Sequence, residues 1–291
     1  MGPVEAPRDE LAALLGGRAS FRLPSRVIRV TGADAAAWLH DLVTADVATL
    51  EPGTARRSLL LTPTGRIRAD LTVTRDGQGL ILLQDPAQPD RVDALLAPYV
   101  LSSEVALSDV SPGSIVFTMG APAAAGDRPV FTPAAFGPGV GALVDAGEAR
   151  TFASRLEAGG LLPVTGGAVE AWRILRAIPR MGADVDVESM PAEVGLEAAI
   201  DRTKGCFLGQ ESVARIANLG HPPRILRHLH ASGDVGAGDP VSAGGEEVGH
   251  ITSAARDLED RVVALARVRW AARDAELEAP GGVRLATATP D

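Results

Sequence analysis

From Ser25 to Val30 apolar and polar residues alternate enough to predict a strand, and Gly32-Ala33-Asp34 then predicts a helix start with Asp34 as its capping residue. Trp38, Leu39, Leu42 and Val43 follow at helical spacing and form a face that packs on a sheet. Leu59-Leu60-Leu61, the turn Thr62-Pro63-Thr64-Gly65 and the run Arg66 to Arg75 predict two strands joined tightly. In the second strand Ile67, Ala69, Leu71 and Val73 point one way, while Arg68, Asp70, Thr72 and Thr74 point the other. One face is therefore buried and the other polar, which makes Asp70 a candidate to line a pocket. A strand over Leu80 to Gln84, a helix over Asp90 to Ala97 and a strand over Val105 to Asp109 complete the element order of a ferredoxin-like unit.

The stretch Val110 to Pro138 is rich in Ala, Pro and Gly and reads as loops around one strand, Ile115 to Met119. A short strand over Gly141 to Asp145, a helix over Glu148 to Ala158 and a helix over Val169 to Arg176 with Trp172 inward fit a second α/β unit. Gly220-His221-Pro222-Pro223 marks a boundary, since consecutive prolines end a helix and force an extended path. Beyond it, Arg227 to Ala231, Val248 to Ser253, Arg261 to Trp270, Ala275 to Ala279 and Val283 to Thr287 are short runs between Gly, Asp and Pro turns, the pattern of a small all-β barrel. The fold class is α+β. The organisation is a mobile leader over 1–19, a first α/β unit over 20–110, a second over 111–222 and a C-terminal β-barrel over 223–291.

At 291 residues the chain suits about two domains, and 46% apolar residues supply ample core. No apolar run approaches the roughly 20 residues that span a bilayer. The N-terminal stretch lacks the basic start and apolar core of a secretory signal, so a cytoplasmic protein with no membrane partner is expected. A net charge of -9 argues against direct nucleic-acid binding. A single cysteine excludes an internal disulfide and an all-cysteine metal cage within one chain, and no histidines form a helical zinc pair with an acidic neighbour. Lys204 is the sole lysine, so the remaining cations are arginines, which suit bidentate recognition of carboxylates.

The chemistry concentrates in Lys204-Gly205-Cys206-Phe207-Leu208-Gly209-Gln210-Glu211, which sets the only cysteine between two glycines and beside the only lysine. The glycines let the backbone take positive φ or approach a ligand closely. Lys204 is placed to hold the thiol partly as thiolate, the form that attacks electrophiles and binds metals. A lone cysteine is also a common small buried hydrophobe, and Gly-x-x-x-Gly also suits an ordinary tight loop. These properties alone leave both readings open.

The order K-G-C-[FY]-x-G-Q-E resembles the signature of the YgfZ/GcvT family of folate-binding proteins. Upstream, Trp172-Arg173-Ile174-Leu175 through Pro179 and Gly182, Met190-Pro191-Ala192-Glu193 and Gly195-Leu196 fall in that family's order and spacing, as do Val213-Ala214-Arg215 and Arg224 downstream. The resemblance covers roughly residues 20 to 275. It implies a GcvT-like body of two α/β units around a central cleft that holds tetrahydrofolate or a one-carbon derivative, followed by the barrel. It further implies Cys206 and Lys204 as the reacting residues, with Asp70, Arg173, Gly205, Phe207, Gly209, Gln210, Glu211 and Arg215 around the cofactor and an arginine such as Arg215 or Arg224 on its glutamate tail.

The sequence departs from the family's aminomethyltransferases at two places. Where those show a paired Asp-Asp after a Gly-Gly turn, Gly65-Arg66-Ile67-Arg68-Ala69-Asp70 has alanine at the first acidic position. Where their Arg-Leu-Glu-Ala-Gly helix supplies a carboxylate, Arg173-Ile174-Leu175-Arg176-Ala177 has leucine. The cysteine motif resembles the YgfZ branch, whose members support iron–sulfur enzymes and, through them, tRNA thiolation. A folate-binding protein of iron–sulfur cluster assembly or repair is therefore expected, with iron–sulfur proteins as partners. A folate-dependent aminomethyl or methyl transferase and a non-catalytic scaffold are the alternatives.

Overall fold

The computed structural model describes residues 2–120, 125–126, 129–135 and 137–289, apart from the side chains of residues 217 and 219. In chain order the helices are α1 (Arg8–Leu15), α2 (Ala35–Leu42), α3 (Val92–Leu96), α4 (Ala149–Ala158), α5 (Gly166–Leu175) and α6 (Gln210–Leu219). The strands are β1 (Ala19–Leu23), β2 (Arg26–Thr31), β3 (Ala55–Leu61), β4 (Ile67–Asp76), β5 (Gly79–Gln84), β6 (Ala106–Asp109), β7 (Ser114–Met119) and β8 (Val140–Asp145), then β9 (Leu162–Pro163) through the barrel strands β10 (Arg224–Ala231), β11 (Pro240–Ala243), β12 (Glu246–Arg256), β13 (Val262–Arg269), β14 (Leu277–Ala279) and β15 (Val283–Thr287). They form two compact units, one of Gly16–Pro163 with Ala198–Ser212, the other of Met1–Leu15, Val164–Glu197 and Val213–Asp291.

The first of these holds two sheets. One has strand order β3-β4-β5-β2-β6, and without the edge strand β3 its order is that of a ferredoxin-like unit. In β4 the expected inner face holds: Ala69, Leu71 and Val73 join Ile28, Val30 and Leu82 in a core with Trp38 and Leu39 of α2 and Leu96 of α3. The other face is polar but not open, since Thr72 and Thr74 are buried too, their hydroxyls donating to the Ala135 and Thr54 carbonyls at 2.8 Å. The second sheet, β8-β7-β1-β9, packs Phe117, Ala142 and Val144 against Phe152 and Leu156 of α4. Val27, Ala55, Ile81 and Leu83 meet Val116 and Phe131 between the sheets, so the unit is layered helix, sheet, sheet, helix. Strand β1 lies before the first sheet in sequence yet pairs with β7 and β9 of the second, an interleaving that no local pattern announces. Asp34 takes the N-cap position of α2 but does not cap it; its carboxylate accepts from the Glu104 N–H at 2.8 Å. The loop reading of Val110 to Pro138 includes residues 121–124, 127–128 and 136, which lie outside the described residues.

The other unit is built on a closed six-stranded barrel, β10-β13-β12-β11-β14-β15, filled by Leu229, Val241, Ile251, Ala266 and Leu285. The sequence pattern shows five of its strands. It misses β11 because only Val241 of its four residues is buried. Gly249 is obligatory here: a Cβ would lie 2.0 Å from the Arg267 carbonyl oxygen across β12 and β13.

Two sequence expectations are corrected in this unit. Residues 1–19 are not a mobile leader throughout: Val4 bonds β12 through the Ala254 carbonyl at 2.8 Å, and α1 buries Leu11, Ala13 and Leu14. Glu10 then accepts from both the N–H and the hydroxyl of Thr165, each at 2.7 Å, at the start of α5. Arg173, expected beside a cofactor, has a side chain with no exposed surface. Its guanidinium pairs with Asp184, and donates to Glu170 at 2.6 Å and to the Ser253 hydroxyl at 2.7 Å. Asp184, 1% exposed, also accepts from Thr252 at 2.6 Å, Ser253 at 2.7 Å and the Arg180 N–H at 3.1 Å. This buried pair ties α5 to β12, and every partner is polar, as a buried charge requires.

Asp184→Ala leaves the Arg173 charge buried and half-partnered, which costs about 3–5 kcal/mol. The expected outcome is a matching fall in the urea midpoint of unfolding, with no comparable fall for exposed Asp274→Ala.

Candidate functional site

The cysteine motif is a loop of the two-sheet unit, shaped by its own local chemistry first. The Asp201 carboxylate accepts from the Thr203 N–H at 2.8 Å, the Thr203 hydroxyl at 2.7 Å and the Lys204 N–H at 3.1 Å, a side-chain turn that leads into the motif. These hydrogen bonds, those from Thr203 foremost, hold the Asp201 carboxyl below its ordinary pKa. The loop then meets the carboxyl end of α2. There the helix's last carbonyls need donors. Lys204 Nζ donates to the carbonyls of His40, of Val43 at 2.6 Å and of Ala45 at 3.1 Å. The Leu208 N–H takes the Asp41 carbonyl at 3.2 Å.

The far side of the loop is held by packing. Phe207 is buried, with Lys204 Nζ 5.4 Å from its ring centroid, within cation–π range. Leu208 packs on the core beneath α2. Gly209, at φ +85°, presses against the β3–β4 turn so closely that a Cβ would lie 2.5 Å from the Thr62 carbonyl oxygen. Ser212, in the first turn of α6, donates to the Pro63 carbonyl at 3.3 Å. Between these anchors Gly205 and Cys206 stand exposed, and a Cβ on Gly205 would meet nothing within 4 Å.

Charge around the lysine is mostly negative. Burial pushes the Lys204 pKa down to about 8, opposed by the carboxylates of Asp46, Asp41 and Asp201. Asp46 accepts from the Thr49 hydroxyl and from the Ala48 N–H at 3.0 Å, pairs with Arg56 at 3.3 Å and has His40 Nδ1 3.1 Å away. Burial raises its pKa, but the bonds from Thr49 and Arg56 outweigh that and bring it down to about 2.

The other expected site residues fall into two groups. Asp70 faces the polar side of β4, as expected, but its carboxylate is bound bidentately by Arg57, with Nε at 2.9 Å, and its backbone is bracketed by the buried Gln88 at 3.0 and 2.6 Å. Burial works against the Arg57 charge, yet Asp70 outweighs it and raises the pKa. Gln210 is half-buried, and Glu211 and Arg215 are exposed, four residues apart on α6. The structure thus gathers Lys204, Gly205, Cys206, Phe207 and Gly209 into one loop, while Arg173 is structural. Lys204 serves the carbonyl of His40 in α2 and those of Val43 and Ala45 just past it with its three donors, and does not pair with Glu211. Sequence reasoning missed Asp46, His40 and the end of α2 as the lysine's surroundings; they lie about 160 positions earlier, and no local signal links them. Among the described residues no group of three or more His, Cys, Asp or Glu is placed to hold a metal, and no helix is long and apolar enough to cross a membrane.

This layered unit with a closed barrel is the fold of the crystal structure of glycine cleavage system aminomethyltransferase T from Bartonella henselae. The two superpose with a TM-score of 0.82 at 20% identity, covering 97% of this chain and 89% of that one. The model of the GCVT N-terminal domain matches residues 25–126. The chain is 28% identical over 316 residues to an aminomethyltransferase of Streptomyces avermitilis, covering 94% of this chain and 83% of that protein. It is 29% identical over 261 residues to an aminomethyltransferase of Geobacillus kaustophilus, covering 78% and 71%. It is also 26% identical over 254 residues to an Arabidopsis thaliana protein named as a chloroplastic transferase, and spans 59% of that relative's length. The chain is thus similar in sequence to several aminomethyltransferases and shares the fold of the Bartonella henselae protein.

The Asp46 carboxyl has a lower pKa folded, about 2, than its ordinary 3.8. Its contribution to stability is therefore complete above about pH 4 and lost as pH falls through about 2. Acid unfolding followed by circular dichroism should show a shallower loss over that window for Asp46→Asn than for the parent.

Proposed function

We propose that this chain is a tetrahydrofolate-binding protein of the YgfZ type that supports iron–sulfur cluster assembly or repair and, through it, tRNA modification, with Cys206 as its reacting residue. The observation that carries the reading is an exposed thiol at the crest of a loop held on both sides, by Lys204 at the end of α2 and by Phe207, Leu208 and Gly209 on the sheet. An ordinary core cysteine would be buried, and an incidental surface thiol would not be held so firmly.

Two positions weigh against aminomethyl transfer. Ala69, at the first acidic position of the transferases, is fully buried in the core, and Asp70 beside it is engaged by Arg57. Leu175, at the position of their helical carboxylate, is 2% exposed. Neither place offers a free carboxylate to polarise a transferring unit.

Part of the expected cofactor set does not fit a ligand: Arg173 is buried in its ion pair, and Gly209 has no room beside Thr62. Within the two-sheet unit, the half-buried Gln210 amide offers a donor and an acceptor of the kind a pterin needs. Bound folate would supply a one-carbon unit, and the chain's part is to hold it and present the Cys206 thiol, whose thiolate form reacts with electrophiles and ligates iron.

Calorimetric titration with tetrahydrofolate and its one-carbon derivatives is expected to show saturable binding by both the parent and Cys206→Ala. In cells lacking the protein, Cys206→Ala is expected to leave iron–sulfur enzyme activity unrestored. No binding by either protein would overturn the folate reading, and full restoration by Cys206→Ala would overturn the thiol's role.

A further inference from the structure

We infer that Lys204 is the positioning residue of the Cys206 thiol: it fixes the loop crest by clamping the carboxyl end of α2, and it is not itself a reacting group. The inference deepens the proposed function and rests on its reading of Cys206 as the reactive residue.

Three observations carry it. First, an ammonium has three donors and no acceptor, and Lys204 meets three carbonyls, His40, Val43 and Ala45, all of them within or just past the last turn of α2. With those bonds made, no donor is left for a substrate or for the thiol. Second, Lys204 is the only lysine among 28 basic residues. A planar guanidinium presents its donors as a fork, whereas a compact ammonium can serve three converging carbonyls, so this position is one where the chain's usual cation would not fit. Third, the crest has no packing of its own: Gly205 has open space around it and Cys206 is exposed, so its position comes from the anchors either side. On one side stand Phe207, Leu208 and Gly209. On the other, the Asp201 carboxylate shapes the turn through Thr203 and the Lys204 N–H, and the side chain that ties this turn to α2 is Lys204, two residues before the thiol. The carboxylates of Asp46, Asp41 and Asp201 surround the clamp and oppose the effect of burial on the lysine's charge, while the bonds themselves go to the three carbonyls.

The chain's single cysteine makes the test direct. A nitroxide attached to Cys206 reports the crest's mobility by electron paramagnetic resonance in the parent, in Lys204→Met and in Lys204→Arg. A control label at Ser102→Cys in a Cys206→Ala background, with and without each Lys204 substitution, reports the rest of the unit. The expected result is a rotational correlation time at Cys206 roughly threefold shorter in both variants, in the range of loop motion on the nanosecond scale, with the control label unchanged. An unchanged Cys206 spectrum in either folded variant would overturn the inference, as would equal loosening at Ser102, which would make Lys204 a general stabiliser. Lys204→Arg keeps the charge, so it remains informative if Lys204→Met does not fold. Because label mobility does not depend on folate or on iron–sulfur clients, a failure of the proposed function leaves this result standing, and a failure here leaves the folate titration unaffected.

Discussion

The end of a helix is an electrostatic problem before it is a functional one. The last carbonyls of α2 point past the helix with no amide to receive them and carry the negative end of its dipole. In this protein the loop of residues 201–209 answers that need: a lysine ammonium on His40 and the Leu208 amide on Asp41, with the same ammonium also on Val43 and Ala45 just past the helix. The loop has little core of its own, so its conformation follows from these bonds and from Phe207 and Gly209 seating on the sheet. That seating leaves the Cys206 thiol exposed. Strands β3 and β4 supply the turn on which Gly209 rests, and the core under α2 supplies the surface on which Leu208 rests. The loop is therefore only as well placed as the first sheet and its helix.

Two of the cations that a family resemblance would place near a cofactor, Arg173 and Lys204, make bonds that hold the structure, for different reasons. Arg173 is taken fully out of water, and a charge there is tolerable only with a carboxylate and further acceptors, which Asp184, Glu170 and Ser253 provide. Lys204 is only half-buried, keeps its charge partly through Asp46, Asp41 and Asp201, and is held by neutral carbonyls. A buried arginine of this kind locks a fold. A lysine at a helix end has a milder grip, and this one sits two residues before the exposed Cys206 thiol.

Much of the architecture was legible from pattern alone. The alternation in β4, the helical stripe Trp38, Leu39 and Leu42, the strands around Leu80 to Gln84 and Ile115 to Met119, and the short turn-bounded runs beyond Pro223 all correspond to observed elements. What escaped did so for physical reasons. Strand β1 and the bridge at Val4 are too short to carry a period, β11 buries one residue, and Asp34 found a better donor in the Glu104 amide than in its own helix. The site was half legible. The motif marked the loop and its cysteine, but a motif says nothing of which atoms a side chain reaches.

By itself the sequence determined which residues face inward, where strands and helices fall, and that the only cysteine sits in a glycine-bounded loop, because these depend on spacing and on local backbone preference. Only the tertiary structure decided that Arg173 belongs to a buried ion pair, that β1 pairs across to the second sheet, and that Lys204 points to the end of α2 and not to the thiol. Those outcomes depend on groups far apart in the chain, and hydrogen bonds to a charged group form wherever the fold happens to bring unsatisfied acceptors within reach.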